Sequence, residues 1–293
     1  MSTTVAIRAG RRTVEVSRPE KELFPTGETK GDLAEYYAEI APTMLPHVRD
    51  RPVALQRFPD GIEHQGFFQK SVAAYYPDWI KTVDVPRHGG RLVQAMLSDA
   101  ATMVYLAGQA CITPHVFLSR ADELEQPDRL IFDLDPTDVA FAEVRRGAQL
   151  VGEALRAEGL EPFTMTTGSR GLHVTVPLRR GPDFDAVRGW ARELAQQLVE
   201  RDPRRFTLEA RKARREAPIL LDIMRNSYAQ HAVAPYGVRA RAGAAVAMPL
   251  HWDELDDPGL APDRWTIHTA RDRIAEHGDA WRGFASHARG LPL

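Results

Sequence analysis

The chain has 293 residues, 43% of them hydrophobic and 27% charged, with a formal net charge of −2; that suffices for one large domain or two small ones and excludes a uniformly basic nucleic-acid coat, though not a local basic groove. No apolar run approaches the roughly 18 residues of a membrane span, and Met1–Gly10 lacks the apolar stretch of a secretory signal. Cys111 is alone, so no internal disulfide or cysteine-based zinc site is available, and a cytoplasmic protein is expected.

In chain order, Thr13–Val16 alternates as a short strand. Thr29 with Asp32 marks a helix start, and Leu33, Tyr36, Tyr37 and Ile40 follow at helical spacing up to Pro42. Val53–Phe58 and Phe67–Lys70 read as strands flanking the turn Pro59-Asp60-Gly61. Ser98 is the expected cap of a helix carrying Met103 and Leu106. Cys111–Phe117 is a further strand, interrupted at Pro114.

From Arg129 the pattern becomes regular. An apolar strand, Leu130–Asp135, stops at Pro136. A helix with Phe141, Val144, Ala148, Val151 and Leu155 closes at Gly159. The strand Phe163–Thr167 meets the turn Gly168-Ser169-Arg170-Gly171 and returns as Leu172–Leu178. Asp185 is the expected cap of a helix with Val187, Trp190, Leu194 and Leu198, stopped by Pro203, and Pro218–Ile223 is the last strand. Strand, helix, strand, strand, helix, strand is the split βαβ order of ferredoxin-like folds. In it the first and third strands are central and antiparallel, with the fourth beside the first.

Side chains alternate along a strand, so Asp133 and Asp135 share one face while Leu130, Phe132 and Leu134 share the core face. Two carboxylates so close repel unless a cation lies between them. The topology brings Asp222, a lone charge in Ile219–Ile223, to the same edge; a buried salt bridge to Arg225 is the bland alternative to a third metal ligand. Three carboxylates form an oxygen set suited to magnesium or manganese, and two such ions are the arrangement of in-line phosphoryl displacement. His173 alternates with the core residues Leu172 and Val174 and so shares the face of the aspartates. The run Thr166–Gly171 offers backbone N–H groups, hydroxyls and the Arg170 guanidinium as a triphosphate cradle. The basic run Arg201–Arg215 reads on composition as a solvated helix end and loop.

Phe132–Pro136, Thr167–His173, Leu221-Asp222 and Ala234–Arg241, in this order, resemble the motifs of the polymerase domain of bacterial ligase D, in the archaeo-eukaryotic primase superfamily. The resemblance begins at Lys21–Pro25 with Thr29–Asp32, takes in Arg51-Pro52 and Phe67–Lys70, and ends past Trp252–Leu255. It implies an α+β primase-polymerase fold, with the split-βαβ module packed against an N-terminal α/β subregion. A single domain over 10–290 is expected, divided near 10–125, 126–250 and a helical segment at 251–290.

By position, the resemblance makes Asp133, Asp135 and Asp222 the ligands of two manganese or magnesium ions and the catalytic carboxylates. Thr167 (usually serine), Ser169, Arg170, His173, His115, Arg215 and Arg239 fall among nucleotide and cleft contacts. Lys21 and Lys30 match lysines that grip a 5′-phosphate, and Phe67 and Phe68 match aromatics that stack on template bases. Gln56, Arg225 and His231 depart from the lysine, glutamine and threonine of relatives. The implied reaction is templated nucleotidyl transfer to a primer 3′-hydroxyl, favouring ribonucleotides, at gaps and recessed ends during non-homologous end joining. The implied partners are DNA, NTP or dNTP, and the ligase and end-binding proteins of end joining; a monomer acting at the nucleoid is expected. Ligase and phosphoesterase modules are absent from the sequence, so a stand-alone polymerase, or sealing by other polypeptides, is expected.

Two rivals compete. A haloacid-dehalogenase-like phosphatase would use Asp133 as nucleophile and Asp135 as acid/base, and requires a parallel sheet. A non-catalytic DNA-end-binding module would leave the carboxylates without a task.

Overall fold

The structure, a computed structural model, describes residues 3–87 and 89–293. In chain order the elements are β1 Thr4–Ala9, β2 Arg12–Ser17, α1 Lys30–Val48, β3 Val53–Arg57, β4 Phe67–Gln69, β5 Thr82–Arg87, β6 Gly90–Ala95, α2 Ala100–Gly108 and β7 Cys111–Phe117. There follow β8 Arg129–Pro136, α3 Phe141–Ala157, β9 Phe163–Thr166, β10 Leu172–Pro177, α4 Phe184–Arg201, β11 Phe206–Thr207, β12 Ile219–Asp222, β13 His231–Val233, β14 Pro249–Leu250 and α5 Ala270–His277. The chain divides into two compact units. Unit 1 is Met1–Ala121 with His231–Ala247 and Trp265–His277; unit 2 is Asp122–Gln230 with Met248–Arg264 and Gly278–Leu293. No helix among the described residues is long and apolar enough to cross a membrane.

Unit 1 contains a four-stranded sheet in the order β13-β7-β3-β4, two hairpins, β1-β2 and β5-β6, and the packed pair α1 and α2. The Thr29 hydroxyl accepts from Asp32 N–H while the Asp32 carboxylate accepts from Thr29 N–H, so α1 starts where the capping pattern places it. It does not stop at Pro42. It continues through Pro46 to Val48, because Met44, Leu45 and Val48 extend the stripe of Leu33, Tyr37 and Ile40 into the core. That packing outweighs a penalty of ~3 kcal/mol for each interior proline. Strand β7 likewise runs unbroken through Pro114, whose carbonyl accepts from Ala234 N–H. The α2 cap is Asp99, not Ser98: its carboxylate accepts from Thr102 N–H, while the Ser98 hydroxyl donates to Asp50. In unit 2 the α4 cap is Asp183, which accepts from Ala186 N–H, and Asp185 pairs with Arg188 inside the first turn.

Unit 2 is built on a six-stranded sheet, β11-β12-β8-β10-β9-β14. Its four inner strands have the order and the antiparallel neighbours that the split βαβ pattern predicts, and two short strands extend the edges. Both neighbours of β8 are antiparallel to it, so the parallel sheet that a phosphatase needs around Asp133 is not there. Leu130, Phe132 and Leu134 are fully buried on one face, where α3 comes so close that Gly147 nearly touches Leu134, Phe206 and Ile219. The other face carries Asp133 and Asp135. The C-terminal stretch docks beside this sheet: Trp281 donates its indole N–H to Thr164 O, and Arg289 bridges to Leu178.

Candidate active site

The register of three adjacent strands assembles the site in unit 2. Asp133 on β8 stands directly opposite His173 on β10 and, on its other side, opposite Asp222 on β12. Directly opposed residues project from the same face, so all three lie together, and Asp135 joins them two residues along β8. A shift of any strand by one residue would send its side chain to the helix face.

Two local devices hold this register. Strand β12 ends at Asp222, and the chain then enters a short 3-10 turn, Met224–Asn226. There the buried Asn226 side chain accepts from Ile131 N–H (2.9 Å) and donates to Ile131 O (2.7 Å), continuing the ladder along β8. Gly171 precedes β10, and a Cβ there would sit 2.0 Å from Leu134 O, so only glycine lets β10 approach β8 at this point. The turn before it uses the left-handed φ of +62° at Gly168. It is closed by Thr167, whose hydroxyl accepts from Gly171 N–H and donates to Gly171 O. The Thr167 hydroxyl is thus engaged inside the cradle, and shapes it. Arg170 at the tip of the turn is exposed and reaches Asp135 at 3.2 Å.

The cations beside the carboxylates come from the chain itself. Asp133 lies 3.5 Å from His173 Nε2 and 3.6 Å from Arg225 Nε. Burial pushes its carboxyl up, but His173 and Arg225 outweigh burial and hold it below the usual carboxylate range. The Arg225 ion pair is thus with Asp133, while at Asp222, the partner of the bland alternative, Arg225 acts as a nearby positive charge that lowers the carboxyl. Asp135 is held by Arg170 on one oxygen and Arg215 on the other. Asp222 is different: desolvation, together with Asp133 and Asp135, raises its carboxyl against the opposing bond from Met224 N–H.

Arg215 departs from the expected solvated run. Its side chain is 4% exposed, and all five N–H groups are engaged, by Glu209 O, Asp135 O, Thr137 Oγ1, Asp135 Oδ2 and Ala210 O. Here it orients Asp135 and has no donor left over for a nucleotide. This role and that of Asn226 lay outside sequence reasoning, since each contact spans 78 residues or more.

The donor chemistry of the site, three carboxylates on one face, suits a hard divalent cation. Asp133 and Asp135 are nonetheless turned toward guanidinium and imidazole partners, and Asp222 toward Met224 N–H. Among the described residues no group of three or more His, Cys, Asp or Glu side chains is gathered closely enough to hold a metal ion. The His173 Nδ1 atom is buried with no hydrogen-bond partner among the described residues.

Ser169, half-buried, lies on the same turn in unit 2, and the remaining candidates belong to unit 1. Lys30 is buried at the start of α1, and its ammonium is held below its usual pKa by burial and by the neighbouring cations Arg18 and Lys21. Lys21 pairs with Asp60 at 2.8 Å. Such a cationic cluster favours an anion. Phe67 and Phe68, on β4, are 47% and 58% exposed, and Phe68 meets His115 edge-on at 5.3 Å. Arg239 is half-buried in the stretch that follows β13.

The match to known proteins covers nearly all of this geometry. The model of the LigD primase-polymerase domain matches residues 29–281. A multifunctional non-homologous end joining protein LigD of Mycolicibacterium smegmatis is 33% identical over 270 residues, 91% of this chain and 35% of the relative. The Pseudomonas aeruginosa protein of the same description is 33% identical over 284 residues, 96% of this chain and 34% of the relative. The chain thus spans about a third of the length of these relatives. Among solved structures, the polymerase domain from Mycobacterium tuberculosis ligase D in complex with DNA superimposes with a TM-score of 0.88 at 31% identity, covering 94% of this chain and 99% of that one. Sheet order, carboxylate register and these similarities agree: the chain belongs to the LigD primase-polymerase domain family of metal-dependent nucleotidyltransferases.

Proposed function

We propose that this chain adds nucleotides to a primer 3′-hydroxyl under the direction of a template, at gaps and recessed ends arising in non-homologous end joining. The observation that carries the reading is the register that sets Asp133, His173 and Asp222 side by side on three strands, with Asp135 on the same face. Asp133, Asp135 and Asp222 are the residues that would hold two manganese or magnesium ions. Asp222, a carboxyl raised by burial and by the charges of Asp133 and Asp135, is a group that a divalent cation would stabilise in its ionised form. When bound, such ions would supply Lewis-acid activation of the 3′-hydroxyl and charge neutralisation for the phosphates, with Asp133, Asp135 and Asp222 as the residues that hold them.

The chain's own groups do the rest. Arg170, Ser169 and His173 face the triphosphate, on a turn that Thr167 closes. Arg215 fixes Asp135, and Arg225 tempers the charge of Asp133. His115 and Arg239 are read as further nucleotide contacts by their match to the family. Phe67 and Phe68 stack on template bases, and Lys21 and Lys30 hold a downstream 5′-phosphate. Within this reading the enzyme favours ribonucleotides, works as a monomer on chromosomal DNA in the bacterial cytoplasm, and passes its product to ligase and end-binding partners.

Primer extension on a 5′-phosphorylated gapped duplex, titrated with manganese or magnesium and with NTP or dNTP, tests the reading. Asp133→Ala and Asp222→Ala are expected to stay folded, to bind the duplex within about twofold of the parent, and to add no nucleotide, a loss of at least about a thousandfold. Extension at the parental rate by either variant would show that the carboxylates do not carry the reaction.

A further inference from the structure

Unit 1 carries more exposed aromatic surface than Phe67 and Phe68. Tyr75 is 61% exposed, more than either phenylalanine. The Arg57 guanidinium links them: it lies 5.5 Å over the Phe67 ring, and its Nη1 donates to the Tyr75 hydroxyl at 3.2 Å. Tyr75 then meets Tyr76 edge-on at 5.4 Å, Tyr76 meets Tyr105 at 5.3 Å, and Tyr105 meets Trp79 at 5.9 Å. Trp79 in turn lies beneath the exposed Arg12, at 5.1 Å.

We propose that Tyr75 and Trp79, with Arg57 and Arg12, form a second stacking stretch for single-stranded nucleic acid, continuous with Phe67 and Phe68. The proposal rests on the reading that Phe67 and Phe68 stack on template bases.

The arrangement fits that ligand in three ways. The exposed rings of Phe67 and Tyr75 and the half-buried ring of Trp79 alternate with guanidiniums, Phe67–Arg57–Tyr75 and then Trp79–Arg12, which offers stacking surface for bases and positive charge for the phosphates between them. The buried Tyr76 and the half-buried Tyr105 on α2 brace the outer rings from behind, so little side-chain freedom is lost when a base settles on them. Charge in the segment 67–81 also suits a polyanion, with Lys70 and Lys81 against the single acid Asp78. Beyond Trp79, Arg12 and Arg11, with the helix-capping Asp99, line a groove of about 620 Å³ beside Ala41 and Leu45, with room for a further nucleotide.

The test is binding of the whole chain, by fluorescence anisotropy, to gapped duplexes whose single-stranded tail grows from about two to about ten nucleotides. The parent is expected to gain affinity with tail length. Tyr75→Ala and Trp79→Ala should each remove on the order of tenfold of that gain, whereas Tyr75→Phe keeps it. Arg12→Ala, at an exposed position, should also reduce it and lower the salt slope by roughly one. All four variants should match the parent on the shortest tail, in binding and in extension. A tail-dependent gain that is unchanged in Tyr75→Ala, Trp79→Ala and Arg12→Ala overturns the proposal. Parental binding of every duplex by a Phe67→Ala, Phe68→Ala double variant overturns instead the reading beneath it.

Discussion

Asp222 shows what it costs to bury one carboxylate beside two others. Its carboxyl is raised by burial and by the adjacent Asp133 and Asp135, so the folded state binds its proton more tightly than the unfolded chain does. The ionised group therefore opposes folding above its folded pKa, and the penalty fades as pH falls through that value. Asp222→Asn keeps an oxygen for Met224 N–H while removing the charge. It is expected to raise stability at neutral pH by about 1 kcal/mol, or roughly 2–4 °C in Tm, with no gain in acid and no nucleotide addition. Thermal melts of both proteins between neutral and acidic pH check this, and a neutral-pH Tm below that of the parent would refute it. Asp133 has the opposite sign. His173 and Arg225 lower it, so its contribution is present above the unfolded pKa and is lost as pH falls through the folded one. That Asp133 and Asp135 share a face was legible from alternation alone. That Arg215 closes around Asp135 was not, because a loop contact 80 residues distant leaves no periodic trace.

Among the elements, β8 and β10 depend on the absence of a single Cβ. Gly171→Ala would place a methyl group 2.0 Å from Leu134 O, and neither backbone segment can give way without parting the central strands. The expected cost is at least about 3 kcal/mol, together with loss of nucleotide binding, because the Thr167–Gly171 closure goes with it. Urea unfolding and a nucleotide titration measure the two effects, and a variant as stable as the parent would contradict the close approach. Element types were largely readable from apolar periodicity, and ends less so. The caps of α2 and α4 differ by one or two residues from expectation because neighbouring Ser and Asp compete, and only the position with the right backbone geometry reaches the free N–H groups. Helix α1 passed two prolines because burial of its stripe exceeds their local cost, a balance that local propensity does not contain.

At the scale of the whole molecule, the two units divide the proposed tasks. The carboxylates and triphosphate turn lie in unit 2, and the lysine cluster and exposed rings in unit 1. Substitutions in the lysine cluster and the exposed rings of unit 1 should therefore alter DNA affinity and end preference while leaving carboxylate chemistry intact. Lys30→Met with Lys21→Ala is expected to abolish the preference for a 5′-phosphorylated gap over an unphosphorylated one and to lower the salt slope of binding by about two. Filter binding at several salt concentrations reads both quantities, and a preserved phosphate preference would remove the lysines from that role. The sequence by itself determined the split βαβ order, the shared face of Asp133 and Asp135, and the arrival of Asp222 and His173 at the same sheet edge, because strand alternation and topology are set by local pattern. Only the tertiary structure decided which cations meet which carboxylates, that Asn226 continues the ladder along β8, and that 231–247 joins unit 1 while 248–264 joins unit 2. Those outcomes turn on contacts between residues remote in the chain, whose free energies come from burial and charge in the folded state.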